Sequence, residues 1–532
     1  VKDKSFRQSA AERIVALESV VAGLTSESLN ESLERKRAIY GAFEARDVRF
    51  DGRVYAAISS TGVYCRPVCP YHAKIENVTF YTTPAEAEEA GYRPCLVCRP
   101  ETAPGLSSAD ARKSLARRAA VMIQEECTAG DSLARLSVRL GYTDRHVRRV
   151  FQGEFGVTPM QYLMTCRLRL AKAILADTDL SIASVAKAAG FKSTRRFNDA
   201  FKSHYGLVPT EQRRLAKGRS ADSTNVGATI RLRLGYRPPM RFDELLTFFR
   251  DRVLTGVEQV DDTSYMRTVR IDTLDGSVVS GWIRIEDDPL HNALVLSMSE
   301  SLLPATSMVV ARVRSMFDLD CDPEVVSAAL SPLEAICPGS NILGLRLPGC
   351  FDPFETSCRA VIGQQVSVAA ANKLAARVVE RLGSRVQTGI EGLDHVWPSA
   401  SQVAAVDDIA GVLGPLGVIR ARSAVIADIA RMMESGDLRF DVLADPTEQM
   451  NVLLSVKGVG PWTANYIAMR VLSYPDAFLE KDSGVAHALP TMTPKQRLEA
   501  VEPCRPWRSY AVICLWNSLG NQAPKPKGER SS

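Results

Sequence analysis

Nowhere in the 532 residues do eighteen apolar residues run together, and the opening stretch VKDKSFRQSAAERIVALESVV holds no apolar signal core. Neither a membrane span nor a secretory leader is expected, and the chain reads as cytoplasmic. Disulfide-framework spacing is missing as well. Of twelve cysteines, eight are scattered singly and only Cys65, Cys69, Cys95 and Cys98 cluster, which favours one metal site plus buried thiols in a reducing compartment. A large net charge is also absent. The chain carries +5, but residues 105–218 hold 20 Lys and Arg against 10 Asp and Glu, so this segment is +10 and the remainder −5. One basic module is the expected contact with nucleic acid. The length predicts three or four domains, with hydrophobic (45 %) and charged (24 %) fractions ordinary for a soluble protein.

The cysteine cluster consists of one CxxxC and one CxxC pair with twenty-five residues between them. Four thiolates at that spacing suit a tetrahedral ion, most simply zinc, and by spacing alone the site reads as a structural staple. The surrounding words say more. TGVYCRPVC, Glu76-Asn77-Val78-Thr79-Phe80-Tyr81 and AGYRPCLVCRP resemble the N-terminal domain of the Ada adaptive-response family. That resemblance implies that Cys65 is both a zinc ligand and the acceptor of a methyl group from a methylated DNA phosphate. Zinc keeps a thiolate deprotonated at neutral pH, and four thiolates leave enough charge on sulfur to attack a methyl carbon. Pro70-Tyr71 departs from the family, whose members often place basic residues there.

After Pro100 and a short Pro/Gly/Ser linker, the basic module contains an internal repeat. Leu133, Leu136, Gly141 and Tyr142 recur as Ile182, Val185, Gly190 and Phe191. Val147, Phe151, Gly156 and Pro159 then recur as Phe197, Phe201, Gly206 and Pro209. Each copy predicts helix, Gly-aromatic turn, helix, with Leu163 to Leu175 joining the two. The pair resembles AraC-type regulators, GFKSTRRFNDAFKSHYGLVP matching their second motif. Exposed candidates for DNA contact are Asp144, Arg145, Arg148 and Arg149 in the first recognition helix, and Ser193, Thr194, Arg195, Arg196 and Asn198 in the second. A charged helix face is usually only solvated; the motif and the local charge favour DNA here.

A polar stretch, 214–228, follows. From Thr229 to about Ser299, runs such as TIRLRL, MRTVRI, VVSGWIRI and ALVLSMS alternate apolar and polar residues and predict an antiparallel sheet. Beyond Pro304 the pattern is helical to Leu519. Within it, Asn451 to Leu489 predicts a helix, a turn at Lys457-Gly458-Val459-Gly460, and a helix opened by Pro461. Free N–H groups at such a turn can hold a phosphate, and the carbonyls of Leu454, Val456 and Val459 a monovalent cation. Asp482 precedes a further helix and reads equally as its N-cap or as a site carboxylate. Trp462 and Tyr466, one turn apart, would ordinarily be core.

This stretch resembles the helix-hairpin-helix DNA glycosylases, most closely the bacterial 3-methyladenine (AlkA) type. The match continues upstream in Leu345-Arg346-Leu347-Pro348-Gly349 and in Arg359 to Ser367, and downstream in Pro506 to Ala511. It implies that Asp482 is the catalytic aspartate, that Trp462, Tyr466 and Trp516 bind the base, and that Phe248 of the sheet segment reaches the pocket. Gln365 stands at the family's wedge position and Ser483 follows the aspartate, both departures. Relatives that also cut the strand place a lysine where this chain has Trp462, so no Schiff base is expected. The Pro-Cys-His-Arg sequence of the O-alkylguanine methyltransferase that often accompanies the Ada N-domain is missing, and no cysteine quartet of an iron–sulfur cluster follows the hairpin.

The expected architecture is therefore multidomain, mainly α with α+β parts. It comprises an N-terminal extension (1–34), an Ada-type zinc domain (35–102), an AraC-type domain (107–214), a linker (215–228), an AlkA-type sheet domain (229–302), a glycosylase domain (303–520) and a disordered tail (521–532). The expected function is bifunctional: a methyl phosphotriester acceptor that then activates repair genes, fused to a monofunctional alkylbase glycosylase. Expected partners are double-stranded DNA and, for the methylated form, RNA polymerase, with the chain a nucleoid-associated bacterial monomer. Two competing readings are a regulator with structural zinc and a binding-only glycosylase part, and a glycosylase with a nonspecific DNA tether.

Overall fold

A computed structural model describes residues 26–30, 32–71, 73–105, 115–128, 133–217, 229–273, 276–441 and 443–520. The tail, most of the N-terminal extension and most of the linker expected from sequence lie outside them. The chain divides into two compact units, residues 1–237 with 269–314, and residues 238–268 with 315–532.

In the first unit, α1 (Ser26–Asn30) and α2 (Leu33–Glu44) precede a four-stranded sheet made of β1 (Tyr55–Ile58), β2 (Val63–Cys65), β3 (Val78–Tyr81) and β4 (Arg93–Pro94), ordered β3-β1-β2-β4. Phe43, Phe50, Phe80 and Leu29 of α1 fill its core. Between β3 and β4, α3 (Pro84–Glu89) starts on a Thr83–Glu86 capping box with proline at the first position, so its first free N–H groups are satisfied locally.

The repeat folds as two helix-turn-helix motifs: α4 (Leu115–Glu126), α5 (Leu133–Leu140), α6 (Asp144–Phe155), the joining helix α7 (Pro159–Asp177), α8 (Ile182–Ala188), α9 (Thr194–Tyr205) and α10 (Pro209–Lys217). Repeat partners do the same work: Val147 and Phe197, and Phe151 and Phe201, are buried. Thr143 and Ser193 cap the second helix of each motif, and Gly156 and Gly206 end it in the left-handed region.

Strand β5 (Thr229–Gly235) leads to α11 (Phe242–Arg250), β6 (Glu258–Val260), β7 (Ser264–Asp272), β8 (Val278–Asp288) and β9 (Ala293–Ser299). Antiparallel pairing of β5 with β9, β8 with β9 and β6 with β7 bears out the alternation in the sequence. Helix α11 was not anticipated inside that stretch: its apolar residues fall at helical spacing, Leu245, Leu246, Phe248 and Phe249 being buried. Within the first unit β5 lies on the cysteine-cluster and helix-turn-helix modules. Arg237 donates to the carbonyl of Asp51 (3.0 Å), and Arg233 pairs with Asp288 (3.1 Å) and lies 3.7 Å from Asp177. Gly235 approaches Thr102 so closely that a Cβ would sit 2.1 Å from its carbonyl oxygen. The zinc module and the helix-turn-helix module share a buried ion pair, Lys172 Nζ to Glu101 Oε2 at 2.6 Å, and Arg99 binds Asp177 through both terminal nitrogens (2.8 and 3.0 Å).

The second unit is chiefly helical and includes α12 (Pro353–Ile362), α13 (Val368–Leu382), α14 (Arg420–Ser435), α15 (Pro446–Ser455), α16 (Pro461–Arg470), α17 (Ser483–Ala488) and α18 (Arg508–Gly520). Among the described residues it holds two apolar cores. Helix α16 serves both, with Ala464 and Ile467 in one and Ala468 and Met469 in the other, and Tyr466 packs against each.

Candidate functional site

The hairpin forms as its glycines predict. Gly458 has φ +103° and no room for a side chain, since a Cβ would come 2.9 Å from Val425 Cγ2. Gly460 is the N-cap of α16 and Pro461 its first residue, so the free N–H groups there have no side-chain cap. Lys457 and Leu454 are exposed, and Val456 O accepts the Val459 amide (3.0 Å). Gln364 ties the hairpin to the loop after α12: its side-chain amide donates to Gly458 O (3.1 Å) and Thr463 Oγ1 (3.0 Å), while Arg422 donates to its carbonyl. The next residue, Gln365, is exposed at φ +54°.

Asp482 is at once a cap and the acceptor of two indoles. Its Oδ1 accepts the Val485 amide (3.1 Å) and Trp516 Nε1 (2.8 Å), and its Oδ2 accepts Trp462 Nε1 (3.0 Å). The N-cap reading is realised, and the same carboxylate is held by two indoles besides. Trp462 stacks on Tyr466 with ring centres 5.1 Å apart and an interplanar angle of 14°. Phe248 lies parallel to Trp516 at 6.2 Å. The four aromatics named from the sequence therefore gather round the carboxylate in two parallel pairs.

Three participants went unnoticed in the sequence. Arg252 lies over the Phe248 ring (3.8 Å) and Arg470 is 4.6 Å from the same ring. Arg470 also donates to Tyr466 Oη (2.8 Å) and to the carbonyls of Pro348 and Gly349. Burial would raise the Tyr466 phenol, but the Arg470 and Arg252 guanidiniums outweigh it and hold the group below its usual value. Burial pulls Arg252 below its own. Gly484 is the third, because a Cβ there would meet Trp516 Cδ1 at 2.6 Å. The signal for Arg470 was its spacing, two turns beyond Trp462 on one helix.

The flanking motifs at 345–349 and 506–511 are largely buried scaffold. Arg346 is buried and donates to the carbonyls of Cys321 (3.0 Å) and Pro239 (3.1 Å). Ser509 grips the irregular segment leading to Asp482 through the Ala477 amide (3.0 Å) and the Tyr474 carbonyl (2.7 Å), and Arg508 binds Asp476 (2.7 Å). Tyr510 donates to Asp318 (2.7 Å), as does the Leu347 amide (3.1 Å). Burial nevertheless pushes the Asp318 carboxyl up to about 6.

In the first unit the four cysteine Sγ atoms lie within 4.8 Å of one another. A tetrahedral zinc with Zn–S near 2.3 Å needs sulfurs about 3.8 Å apart, so this donor set fits the ion. All four are buried. Backbone amides donate to Cys98 Sγ (from Arg66, 3.4 Å) and to Cys95 Sγ (from Val97, 3.4 Å). Among the described residues no such donor reaches Cys65 Sγ. Of the sequence candidates for DNA contact, Arg145, Arg148, Arg149, Arg195 and Arg196 are exposed; Asn198 is half-buried, its Oδ1 enclosed with no partner among the described residues. No helix of the described residues is long and apolar enough to cross a membrane.

Three family descriptions match this chain: the metal binding domain of Ada over residues 38–101, a helix-turn-helix domain over 136–215 and the AlkA N-terminal domain over 231–352. A probable bifunctional transcriptional activator/DNA repair enzyme AlkA of Mycobacterium tuberculosis is 36% identical over 488 residues, covering 90% of this chain and 96% of that one. DNA-3-methyladenine glycosylase 2 of Escherichia coli is 36% identical over 289 residues, 54% of this chain and 98% of its own. The bifunctional transcriptional activator/DNA repair enzyme Ada of Escherichia coli is 32% identical over 154 residues, 29% of this chain and 42% of its own.

Proposed function

Because the chain belongs to the family of bifunctional transcriptional activator/DNA repair proteins that join Ada-type and AlkA-type domains, we propose that it senses and repairs alkylated DNA in the bacterial cytoplasm. Its C-terminal part is a monofunctional glycosylase that hydrolyses the N-glycosidic bond of alkylated bases such as 3-methyladenine. The observation that carries this reading is Asp482, a carboxylate oriented by two indole N–H groups beside a stacked Trp462–Tyr466 pair. A base alkylated at a ring nitrogen is cationic and leaves without a general acid, so the demand on the enzyme is to stabilise positive charge on the sugar. Asp482 supplies that charge and orients the attacking water. The flipped base stacks on Trp462, Tyr466 and Trp516, with Phe248 behind Trp516. Gln365, on a strained loop at the surface, enters the gap in the duplex. Lys457, Gly458 and Gly460 hold a backbone phosphate, with a monovalent cation at the carbonyls of Leu454, Val456 and Val459.

The N-terminal part takes a methyl group from a phosphotriester onto Cys65. Sulfur forms a bond to the methyl carbon as the carbon–oxygen bond breaks, the electron pair leaving with the phosphate, which regains its negative charge. Bound zinc supplies thiolate character to the four ligands Cys65, Cys69, Cys95 and Cys98. The amide donors at Cys95 and Cys98 drain charge from those two sulfurs and not from Cys65, which keeps Cys65 the best nucleophile of the three. The methylated form, acting as a monomer, then binds promoter DNA through Arg145, Arg148, Arg149, Arg195, Arg196 and Asn198 and recruits RNA polymerase.

One observation favours a second reading of the zinc module, as a structural staple: Cys65 is only 3% exposed. Incubating the chain with methylated duplex DNA tests both parts at once. Release of free 3-methyladenine supports the glycosylase. A mass gain of one methyl on the Cys65 peptide supports transfer, and its absence supports the staple.

A further inference from the structure

Both recognition helices end on the same short helix of the zinc module. Helix α6 closes at Gly156 (φ +69°), where a Cβ would lie 2.5 Å from Glu86 Oε1 of α3. Helix α9 closes at Gly206 (φ +68°), the repeat counterpart of Gly156. Arg93 of β4 donates to the Tyr205 carbonyl there (3.4 Å). In the last turn of α9, His204 Nε2 lies 2.6 Å from Glu88 Oε2 of α3. The other oxygen of Glu88 accepts Tyr64 Oη (2.7 Å), and Tyr64 directly precedes Cys65 on β2. The Glu88 side chain is fully enclosed, so this carboxylate has no solvent to exchange for its two partners.

An enclosed carboxylate with one partner on the strand of Cys65 and the other on a recognition helix joins the two rigidly. The arginines proposed to meet DNA, Arg145 to Arg149 and Arg195 to Arg196, lie toward the opposite ends of the same helices, up to about 18 Å along a 12-residue helix. A tilt at the seat is therefore carried to the DNA-facing end as a displacement. We propose that α3 is a spacer that fixes the separation of the two recognition helices, with Glu88 and His204 as positioning residues, so that DNA is read as two half-sites at a single spacing and at a set offset from Cys65. This rests on the reading of the N-terminal part as a two-motif DNA reader. One inserted base pair shifts a half-site by about 3.4 Å and turns it by about 35°, which a rigid seat does not follow.

The test starts from a random-sequence duplex library, selected with the zinc-loaded full-length chain. The preferred duplex is then remade with one base pair inserted or removed between the half-sites. Wild type is expected to lose about tenfold or more in affinity for each altered spacing. His204→Ala should cut that penalty to threefold or less, with half-site sequence preference, zinc content and melting temperature retained. His204→Gln, whose amide can still donate to Glu88, should restore it; a merely structural role would instead weaken all spacings alike. Should His204→Ala fold poorly, Arg93→Ala, which frees the end of α9 from β4, is measured in the same way with the same expectation. A full spacing penalty in a folded His204→Ala or Arg93→Ala protein, or a wild type indifferent to spacing, would overturn the spacer while leaving DNA reading intact. Selection of no preferred sequence by wild type would overturn that reading and the spacer with it.

Discussion

Asp482→Asn separates the helix cap from the catalytic role proposed for the same carboxylate. Asparagine caps a helix nearly as well as aspartate, so Oδ1 can keep the Val485 amide and Trp516 Nε1. The new amide nitrogen, however, faces Trp462 Nε1, donor against donor, where Oδ2 accepted at 3.0 Å. Losing that charge-assisted bond costs about 1.5–3 kcal/mol of local stability. The catalytic loss is larger. A unit charge about 4 Å from a developing sugar cation, at an effective dielectric near 20, is worth about 4 kcal/mol, or about three orders of magnitude in rate. The assay is single-turnover release of 3-methyladenine from methylated duplex DNA, with binding followed separately on a duplex carrying a stable abasic analogue. Release should fall about a thousandfold with binding changed only a few fold. A mutant within tenfold of wild type, its binding intact, would refute the electrostatic role of Asp482.

The proposed methylation of Cys65 would convert a zinc–tetrathiolate centre of charge −2 to −1, and one charge about 6 Å from a phosphate is worth about 3 kcal/mol before screening. The methylated protein should bind promoter DNA more tightly at low salt, and the advantage should shrink as salt rises; equal affinities at low salt would exclude this switch. Asp318, held up near 6 by burial, is neutral in the folded state at acid pH, so its contribution to stability is fully present below about pH 4 and lost as pH rises through 6. Asp318→Asn should therefore raise the melting temperature at pH 8, by the equivalent of up to about 3 kcal/mol, and leave it nearly unchanged at pH 4. Gly484→Ala drives a methyl group into Trp516. It should cost about 1–3 kcal/mol and slow base release, and unchanged rates would show that the indole is free to move. Glu101→Gln strands Lys172 in a buried site, its side chain 2% exposed, and should lower stability by about 3–5 kcal/mol in an unfolding curve followed by zinc release. Adding Lys172→Met should recover much of the loss.

The sequence by itself determined the modules, because each is specified by contacts close along the chain. The cysteine pairs sit on a hairpin and a turn. The repeated Val147/Phe197 and Phe151/Phe201 positions set the faces of the recognition helices, and Gly458 to Pro461 build the hairpin from backbone preferences alone. Alternation in 229–299 predicted the strands but hid α11, whose helical spacing is embedded in a stretch dominated by period-two runs. Only the tertiary structure decided what those parts meet. That Asp482 is shared between the Trp462 and Trp516 indoles depends on residues 20 and 34 positions away. Arg252, in the turn after α11, meets Phe248 four residues back, but Arg470 reaches the same ring from α16, more than two hundred residues on, and no local pattern relates the two. Glu88 reads in sequence as one acid among three on a short helix, yet it is enclosed between Tyr64 and His204, 24 and 116 residues distant. Hydrogen-bonding direction and burial are properties of a folded neighbourhood, and periodicity carries information only about which face of an element turns inward.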